Sequence, residues 1–276
     1  RRAEGIVLML KAVSSGAPTA PAALALLDFA VQDNSASAVN FVTEGGLGVL
    51  FAVFSGKGVS RVRKEAGNAT AGEFQEAAIS CCASLALMLP SGSTERLRFL
   101  GKFLESDCAK CTRLVELLLA YQGKVEAGDA GLVAAAGAGR LGTAQEDEEV
   151  YGVHLTEDER VYLRRMEYGL FTLQKLSCVV AALCAGDDAN AEVRRQLWQG
   201  VYTRGGSLSR VALDLRDMAD RMAPAEGQSD APPAGALISA LSDALAAFAA
   251  GGGGGGAPAA HGGADAIQVE ADEDED

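Results

Sequence analysis

The residues with the clearest chemical potential are two cysteines, Cys108 and Cys111, separated by two positions. A structural zinc site would need two more ligands, and the only histidines, His154 and His261, fall outside the predicted helices. A redox-active pair would begin a helix beside a β-sheet, and no sheet is predicted. All the cysteines fall within apparent helices: Cys81, Cys82, Cys108, Cys111, Cys178 and Cys184. We expect no secretory signal, so we predict reduced, buried thiols and no metal site.

A glycine-rich motif at 137–142, Gly-Ala-Gly-Arg-Leu-Gly, matches the pattern that binds dinucleotide phosphates. That pattern works when a buried strand precedes it and an apolar helix follows, because the helix N-terminus then meets the pyrophosphate. Here 145–149 follows as Gln-Glu-Asp-Glu-Glu, whose carboxylates would repel phosphate. Neither histidine lies on a predicted helix that could orient it for acid–base chemistry. We therefore predict no cofactor and no enzymatic activity.

The elements that organise the chain lie between residues 156 and 222. Thr156 and Glu159 form a capping box, which predicts a helix N-terminus. Large apolar side chains then recur every three or four residues, at Leu163, Met166, Leu170, Leu173, Val180 and Leu183. After Tyr168 polar residues become rare, and a helix that is apolar nearly all round must be covered on most sides. We predict one long central helix that continues to about residue 184.

Two further helices, at about 189–203 and 207–222, are predicted to cover the central helix. Between them, Gly205 and Gly206 allow a left-handed stop, and Ser207 is a favourable N-cap residue. The second of these helices has a continuous apolar stripe formed by Leu208, Val211, Leu215 and Met218. Its amphipathic pattern predicts that this stripe faces the core.

Composition favours an all-α fold, because apolar residues make up 49% of the chain while aromatic residues make up only 5%. Runs of β-branched residues at period two are absent. We divide the chain into helical repeats over 1–123, an Ala/Gly-rich acidic linker over 124–154, C-terminal helical repeats and a cap over 155–250, and a disordered Gly-rich acidic tail over 251–276. Within the first part, 56–72 is predicted to be a polar loop. No 18-residue apolar run occurs, so no membrane span is predicted.

The formal net charge of −13 is unevenly distributed. Seven carboxylates lie between Asp265 and Asp276, whereas the segment from Arg160 to Arg221 contains ten basic and seven acidic residues. The folded C-terminal part is therefore mildly basic, and much of the acidity lies in the tail. Nucleic-acid binding needs a coherent positive surface, so we predict no direct nucleic-acid partner.

Three blocks of residues resemble the C-terminal half of the beta-catenin-like family of spliceosome-associated nuclear proteins. In chain order they contain Glu4-Gly5, Phe41-Val42, Gly46-Leu47, Leu50-Phe51 and Phe54; Arg96-Leu97, Lys102-Phe103, 105–107 and 113–117; and 162–165, 169–171, Leu173-Gln174, Cys178, Cys184, 193–195, Arg204-Gly205 and Ser207. Their order and rough spacing match over about residues 4–248. The chain starts at Arg1 rather than at methionine, so we expect it to begin inside a longer protein with further repeats upstream.

The resemblance implies an armadillo/HEAT-like right-handed helical solenoid with a C-terminal helical cap, located in the nucleus and acting as a non-enzymatic protein-binding scaffold. It further implies membership of the spliceosomal nineteen complex, whose other subunits are then expected partners. The implied direct partner is the cell-division-cycle-five-like Myb-type splicing factor, bound through its basic nuclear-localisation segment. A homodimer is a further expected assembly.

Four arginines are candidate partner contacts: Arg164, Arg165, Arg194 and Arg195. For the first two, a role as exposed residues or in local ion pairs, with Glu167 or Asp158, fits the sequence equally well. The alternative function is an importin-alpha-like adaptor that carries basic cargo into the nucleus. Such adaptors need regularly spaced tryptophans along the groove, and Trp198 is the only tryptophan here.

Overall fold

The computed structural model describes residues 2–137, 155–186, 189–222 and 233–251, and within these ranges the chain forms twelve helices and no strand. The helices, in chain order, are Arg2–Ser15 (α1), Ala20–Val31 (α2), Ser35–Thr43 (α3), Gly46–Phe54 (α4), Val59–Met88 (α5), Thr94–Gly101 (α6), Glu105–Gly137 (α7), Glu157–Glu167 (α8), Leu170–Ala185 (α9), Ala191–Thr203 (α10), Leu208–Arg221 (α11) and Pro233–Ala250 (α12). The predicted all-α fold is confirmed.

One helix, α9, lies at the centre of the packing. It contacts α5 and α7 on the N-terminal side and α10, α11 and α12 on the C-terminal side. A single hydrophobic core runs from Ile6 in α1 to Leu245 in α12. Because fully burying one large apolar side chain is worth about 1.5–3 kcal/mol, this shared core holds the two parts of the chain together.

In the N-terminal part, four phenylalanines join α4 to α6 and the turn after it. Phe51, Phe54, Phe99 and Phe103 form four ring contacts with centroid distances of 5.3–5.9 Å. Most of these contacts are edge to face. Helix α5 packs on α2, α4 and α9, and α1 packs on α2. This arrangement of short, mutually stacked helices is the kind of packing by which helical repeats bury their apolar faces.

Several helix starts follow directly from the sequence. The Thr156 hydroxyl oxygen accepts a hydrogen bond from the Glu159 backbone N–H, and the Glu159 carboxylate accepts one from the Thr156 backbone N–H, so the predicted capping box is formed. The hydroxyl of Ser207 caps α11 as predicted. Helix α10 is capped by the Asn190 side chain.

The predicted single helix over 156–184 is wrong, because the chain bends by 78° between α8 and α9. Gly169 lies at this bend with a φ of +94°, a conformation that residues with a Cβ rarely adopt. Helix α8 therefore lies at the surface, and none of its residues is buried. As a consequence, the predicted core residues Leu163 and Met166 are only half-buried.

The other eight predicted core residues are buried in the structure: Leu170, Leu173, Val180, Leu183, Leu208, Val211, Leu215 and Met218. Helix α12 covers α9 and α11 and occupies the place of the predicted C-terminal cap. Its Ser242 hydroxyl donates to the Ala212 carbonyl oxygen at 2.8 Å, and its Asp243 carboxylate pairs with Arg216.

Two predicted irregular segments are helical. Helix α5 begins at Val59 within the predicted loop 56–72 and is interrupted only at Gly67, whose φ is +91°. The first part of the predicted linker, 124–137, continues α7, because Val125 is buried against the core and anchors this turn of the helix. The remainder of that linker, 138–154, and the tail over 252–276 lie outside the described residues.

In the part of the chain that the structure describes, no single helix is long and apolar enough to cross a membrane. Two sharply bent helix pairs meet the same test by length and composition only.

Candidate partner-binding surfaces

The arginines on α8 have different surroundings. Arg165 Nε donates to Asp129 Oδ1 at 2.9 Å, which ties α8 to α7, and its side chain is 20% exposed. Arg164 is 44% exposed and pairs with Glu167 one turn later, at 3.5 Å. Arg165 is therefore a link between helices, whereas Arg164 is accessible to a partner.

The arginines on α10 show the same division. Arg194 lies half-buried with its guanidinium 5.9 Å from the centre of the Phe248 ring, so it packs against α12. Arg195 is exposed and binds the carboxylate of Glu192 at 2.5 Å and the side-chain oxygen of Gln199 at 3.0 Å. Of the four predicted contacts, Arg164 and Arg195 are thus the exposed pair, and they lie on different helices.

An open pocket of about 460 Å³ lies at the bend between α8 and α9. We call this cavity the elbow pocket. It is lined by Glu76, Tyr121, Lys124, Ala127, Gly128, Glu167, Tyr168 and Gly169. They come from α5, α7, the last residue of α8 and the bend itself. A side chain at Gly128 would overlap the ring of Tyr168, so the absence of a Cβ there lets this ring pack against α7.

The elbow pocket combines carboxylates with aromatic rings. Glu76 accepts a hydrogen bond from the Tyr121 hydroxyl at 3.0 Å, and burial together with this carboxylate raises the pKa of Tyr121. Glu167 also lines the pocket, and Tyr168 is 41% exposed. The ammonium group of Lys124 lies 4.0 Å from the centre of the Tyr121 ring. The chain's own lysine therefore shows that this pocket can hold a cationic side chain.

Comparison with known proteins places the chain in a family. A family model described as "Catenin-beta-like, Arm-motif containing nuclear" matches residues 1–216. The chain belongs to this family. It is 28% identical over 226 residues to human beta-catenin-like protein 1, a match that covers 80% of this chain and 37% of the human protein. The rat protein of the same name is 29% identical with the same coverage, and the fission-yeast homolog is 26% identical over 146 residues, or 53% of this chain and 21% of its own.

The catenin-beta-like chain spans little more than a third of the length of the mammalian relatives that it matches. Membership confirms the predicted family and the nuclear location that its description states. Proteins built from Arm motifs are protein-binding scaffolds, which agrees with the predicted kind of function. The all-helical fold of the described residues agrees with a solenoid built from such motifs.

The cysteines of this catenin-beta-like chain are buried, free thiols, as the sequence predicted. Cys111 of the two-cysteine motif donates to the Phe103 carbonyl oxygen at 3.5 Å, and burial raises its pKa to about 12. Burial raises the pKa of Cys178 and Cys184 on α9 to about 12 as well, so these thiols stay protonated and unreactive.

Within the described ranges, no cluster of side chains could hold a metal ion. Of the glycine-rich motif at 137–142, only Gly137 is among the described residues.

Sequence reasoning did not find the elbow pocket. Its residues are spread over more than 90 positions, from Glu76 to Gly169, and only the folded chain brings them together. The available signal was the Tyr168-Gly169 pair, since an aromatic residue followed by glycine in an otherwise helical pattern indicates a helix stop.

Proposed function

We propose that this chain is part of a splicing-associated scaffold that binds basic nuclear-localisation segments of splicing factors. The expected direct partner is the cell-division-cycle-five-like Myb-type protein, within an assembly of other nineteen-complex subunits. The family resemblance supports these partners, and the chemistry of the elbow pocket supports a basic ligand.

The observation that carries the proposal is the position of Lys124. This ammonium group already lies over a tyrosine ring in a pocket rimmed by the carboxylates of Glu76 and Glu167. A lysine or arginine of a partner would find the same ring and the same carboxylates. Charge complementarity of this kind favours basic over acidic segments and makes binding sensitive to salt.

The proposal is tested with a fluorescent peptide that carries the basic localisation segment of the Myb-type factor, titrated with the full chain. In the double variant Glu76→Gln/Glu167→Gln, affinity should fall about tenfold, because two ion pairs of about 0.7 kcal/mol each are lost. Glutamine at position 76 can still accept the tyrosine hydroxyl, so the fold is preserved. Glu126→Gln, an exposed substitution on α7 outside the pocket, is the matched control and should leave affinity nearly unchanged.

Lys124→Ala should act in the opposite direction. It removes the internal cation that a partner would have to displace, so affinity for the basic peptide should rise several-fold. Equal loss of binding in all the glutamate variants, control included, would assign the effect to general surface charge and reject the elbow pocket. A pull-down from nuclear extract separates this function from the adaptor alternative, because splicing factors rather than import receptors should be recovered.

A further inference from the structure

A second surface has the opposite charge. Two cavities of about 450 Å³ each adjoin along α4 and share Gly48, Ala52 and Lys57 as lining residues. Together we call them the α4 groove. Their floor is formed by small residues, since Gly48 is exposed with open space around it and Ala52 is half-buried. An extended peptide can therefore approach the backbone of α4 closely.

Basic side chains line the groove. They are Lys57, Arg61, Lys102, Lys110 and Arg113, against one lining carboxylate, Glu105. Two further carboxylates pair with lining arginines from outside: Glu65 with Arg61 at 3.8 Å and Glu116 with Arg113 at 3.3 Å. The groove keeps a positive balance although the whole chain has a net charge of −13.

Glu105 shows which ligand chemistry the groove accepts. Its two carboxylate oxygens bind the ammonium groups of Lys102 at 2.7 Å and Lys110 at 2.9 Å. Hydrogen bonds from these two lysines lower the pKa of Glu105. Lys57 is exposed and stands between the two cavities, where it is free to meet a further carboxylate.

We propose that the α4 groove binds the acidic C-terminal segment of this same chain, residues 265–276. That segment reads Asp-Ala-Ile-Gln-Val-Glu-Ala-Asp-Glu-Asp-Glu-Asp, so two apolar residues, Ile267 and Val269, precede six carboxylates within seven positions. The carboxylates match the lysines of the groove, and the apolar pair matches its floor at Val49 and Ala52. The 15 residues from Gly251 to Asp265 can span up to about 50 Å when extended, which gives the segment wide reach.

Occupation of the groove by the chain's own tail would keep other acidic ligands out until they displace it. This inference is independent of the proposed function, because the elbow pocket attracts basic segments and shares no lining residue with the α4 groove.

The first test is zero-length carbodiimide cross-linking of the full wild-type chain, which joins a carboxylate to a lysine amine in direct contact. Tail carboxylates should couple to Lys57, Lys102 and Lys110, and coupling should largely disappear at about 0.5 M salt, where the screening length falls to a few ångströms. The chain offers exposed lysines outside the groove as internal controls: Lys11, Lys64 and Lys124. Coupling spread evenly over these controls, or no coupling, would overturn the proposal.

Mixing unlabelled and isotope-labelled copies before cross-linking identifies the occupant. Products within one copy support binding of the chain's own tail. Products between copies would overturn it and would make a second copy the occupant instead.

The second test uses a full chain whose six carboxylates over 270–276 are changed to amides, titrated with a labelled peptide of residues 264–276. This variant should bind the peptide at least about fivefold more tightly than wild type does, because the wild-type tail competes. Lys57→Glu in the same background should weaken binding several-fold, and Lys64→Glu, a matched charge reversal on the neighbouring helix, should have little effect. Equal effects of the two reversals, or equal binding of a peptide with serine at 267 and 269, would reject the assigned occupant.

Discussion

Helices α8 and α9 follow each other with only Tyr168 and Gly169 between them, yet their environments are opposite. None of the 11 residues of α8 is buried, whereas 14 of the 16 residues of α9 are. Helix α8 packs along α7 and the start of α9 and meets α11 through Arg221, which pairs with Asp158 and lies over the Tyr162 ring, while α9 is surrounded by five other helices. Two helices that are adjacent in sequence can therefore differ completely in burial.

The chemical difference between the two helices explains their places. Helix α8 carries charged residues on every turn, and several of them, such as Glu157, Asp158 and Glu159, stay exposed to water, which keeps the cost of desolvation low. Helix α9 contains a single charged residue, Lys175, and buries large apolar side chains on every face. Burying its six leucines and valines at about 1.5–3 kcal/mol each makes α9 a large contributor to the free energy of folding.

The largest expected effect comes from a carboxylate introduced into α9. Leu173 is 2% exposed, so Leu173→Asp would lose about 2–5 kcal/mol of packing and would also bury a charge at a cost of several kcal/mol. A domain with about 5–15 kcal/mol of stability should then be largely unfolded. Circular dichroism melts measure this directly.

The matched control is Leu163→Asp on α8. This residue is half-buried at the surface, so the same substitution should cost no more than about 1–2 kcal/mol. Similar melting temperatures for the two variants would show that α9 is not the centre of the fold.

The second-largest expected effect is the pH dependence of stability that arises from the carboxyl group of Asp28. Burial raises the pKa of Asp28 on α2 from 3.8 to about 6, although a hydrogen bond from Ser80 and the positive charge of Lys175 oppose the shift. The folded state therefore binds more protons than the unfolded state between about pH 4 and pH 6. Stability is fully present below pH 4 and falls as pH rises through 6, by up to about 3 kcal/mol for two pKa units.

Urea unfolding of wild type and Asp28→Asn at pH 4.5 and pH 7.5 checks this expectation. The asparagine variant has no carboxyl group at this position, so its stability relative to wild type should rise between the two pH values. Parallel changes in the two proteins would show that Asp28 is not desolvated beneath α9.

The bend between the helices supplies the third prediction. Gly169 has a φ of +94°, and a Cβ there would lie 2.9 Å from the Tyr121 ring. Gly169→Ala should therefore destabilise the protein by about 1–3 kcal/mol. Gly123→Ala in α7, an exposed helical position with open space, should instead stabilise by about 0.5–1 kcal/mol. Thermal melts that shift in the same direction for both would remove the special role of Gly169.

The same glycine marks the limit of sequence reasoning. The apolar spacing of Leu163, Met166, Leu170 and Leu173 is continuous, so periodicity predicts one helix across it. The bend depends on one positive φ angle, which the apolar spacing does not encode and which only the glycine at position 169 signals. By contrast, the stripe of α11 and the burial of α9 follow from composition and spacing alone, and the structure has both.

The candidate surfaces were less predictable for a different reason. The identity of the four arginines is visible in the sequence, but whether each guanidinium is exposed depends on the neighbouring helix that it meets. Arg194, for example, is half-buried, and its guanidinium lies 5.9 Å from the centre of the Phe248 ring on α12. The elbow pocket and the α4 groove likewise arise from helices distant in sequence. Such surfaces require the tertiary arrangement.

The smallest effect tests how α8 is held to the rest of the molecule. Arg165 is 20% exposed and its Nε donates to Asp129 on α7 at 2.9 Å, so Arg165→Ala should cost about 1 kcal/mol. Arg164 is 44% exposed and pairs within its own helix at 3.5 Å, so Arg164→Ala should cost no more than about 0.5 kcal/mol. Chemical denaturation at low and high salt resolves the two values. A double-mutant cycle with Asp129→Ala isolates the contact and should give a coupling of about 0.5–1 kcal/mol that decreases with salt. If the coupling is zero while Arg165→Ala still destabilises, the arginine holds α8 by packing of its methylene groups rather than by its charge, because the aliphatic stem remains when only the carboxylate is removed.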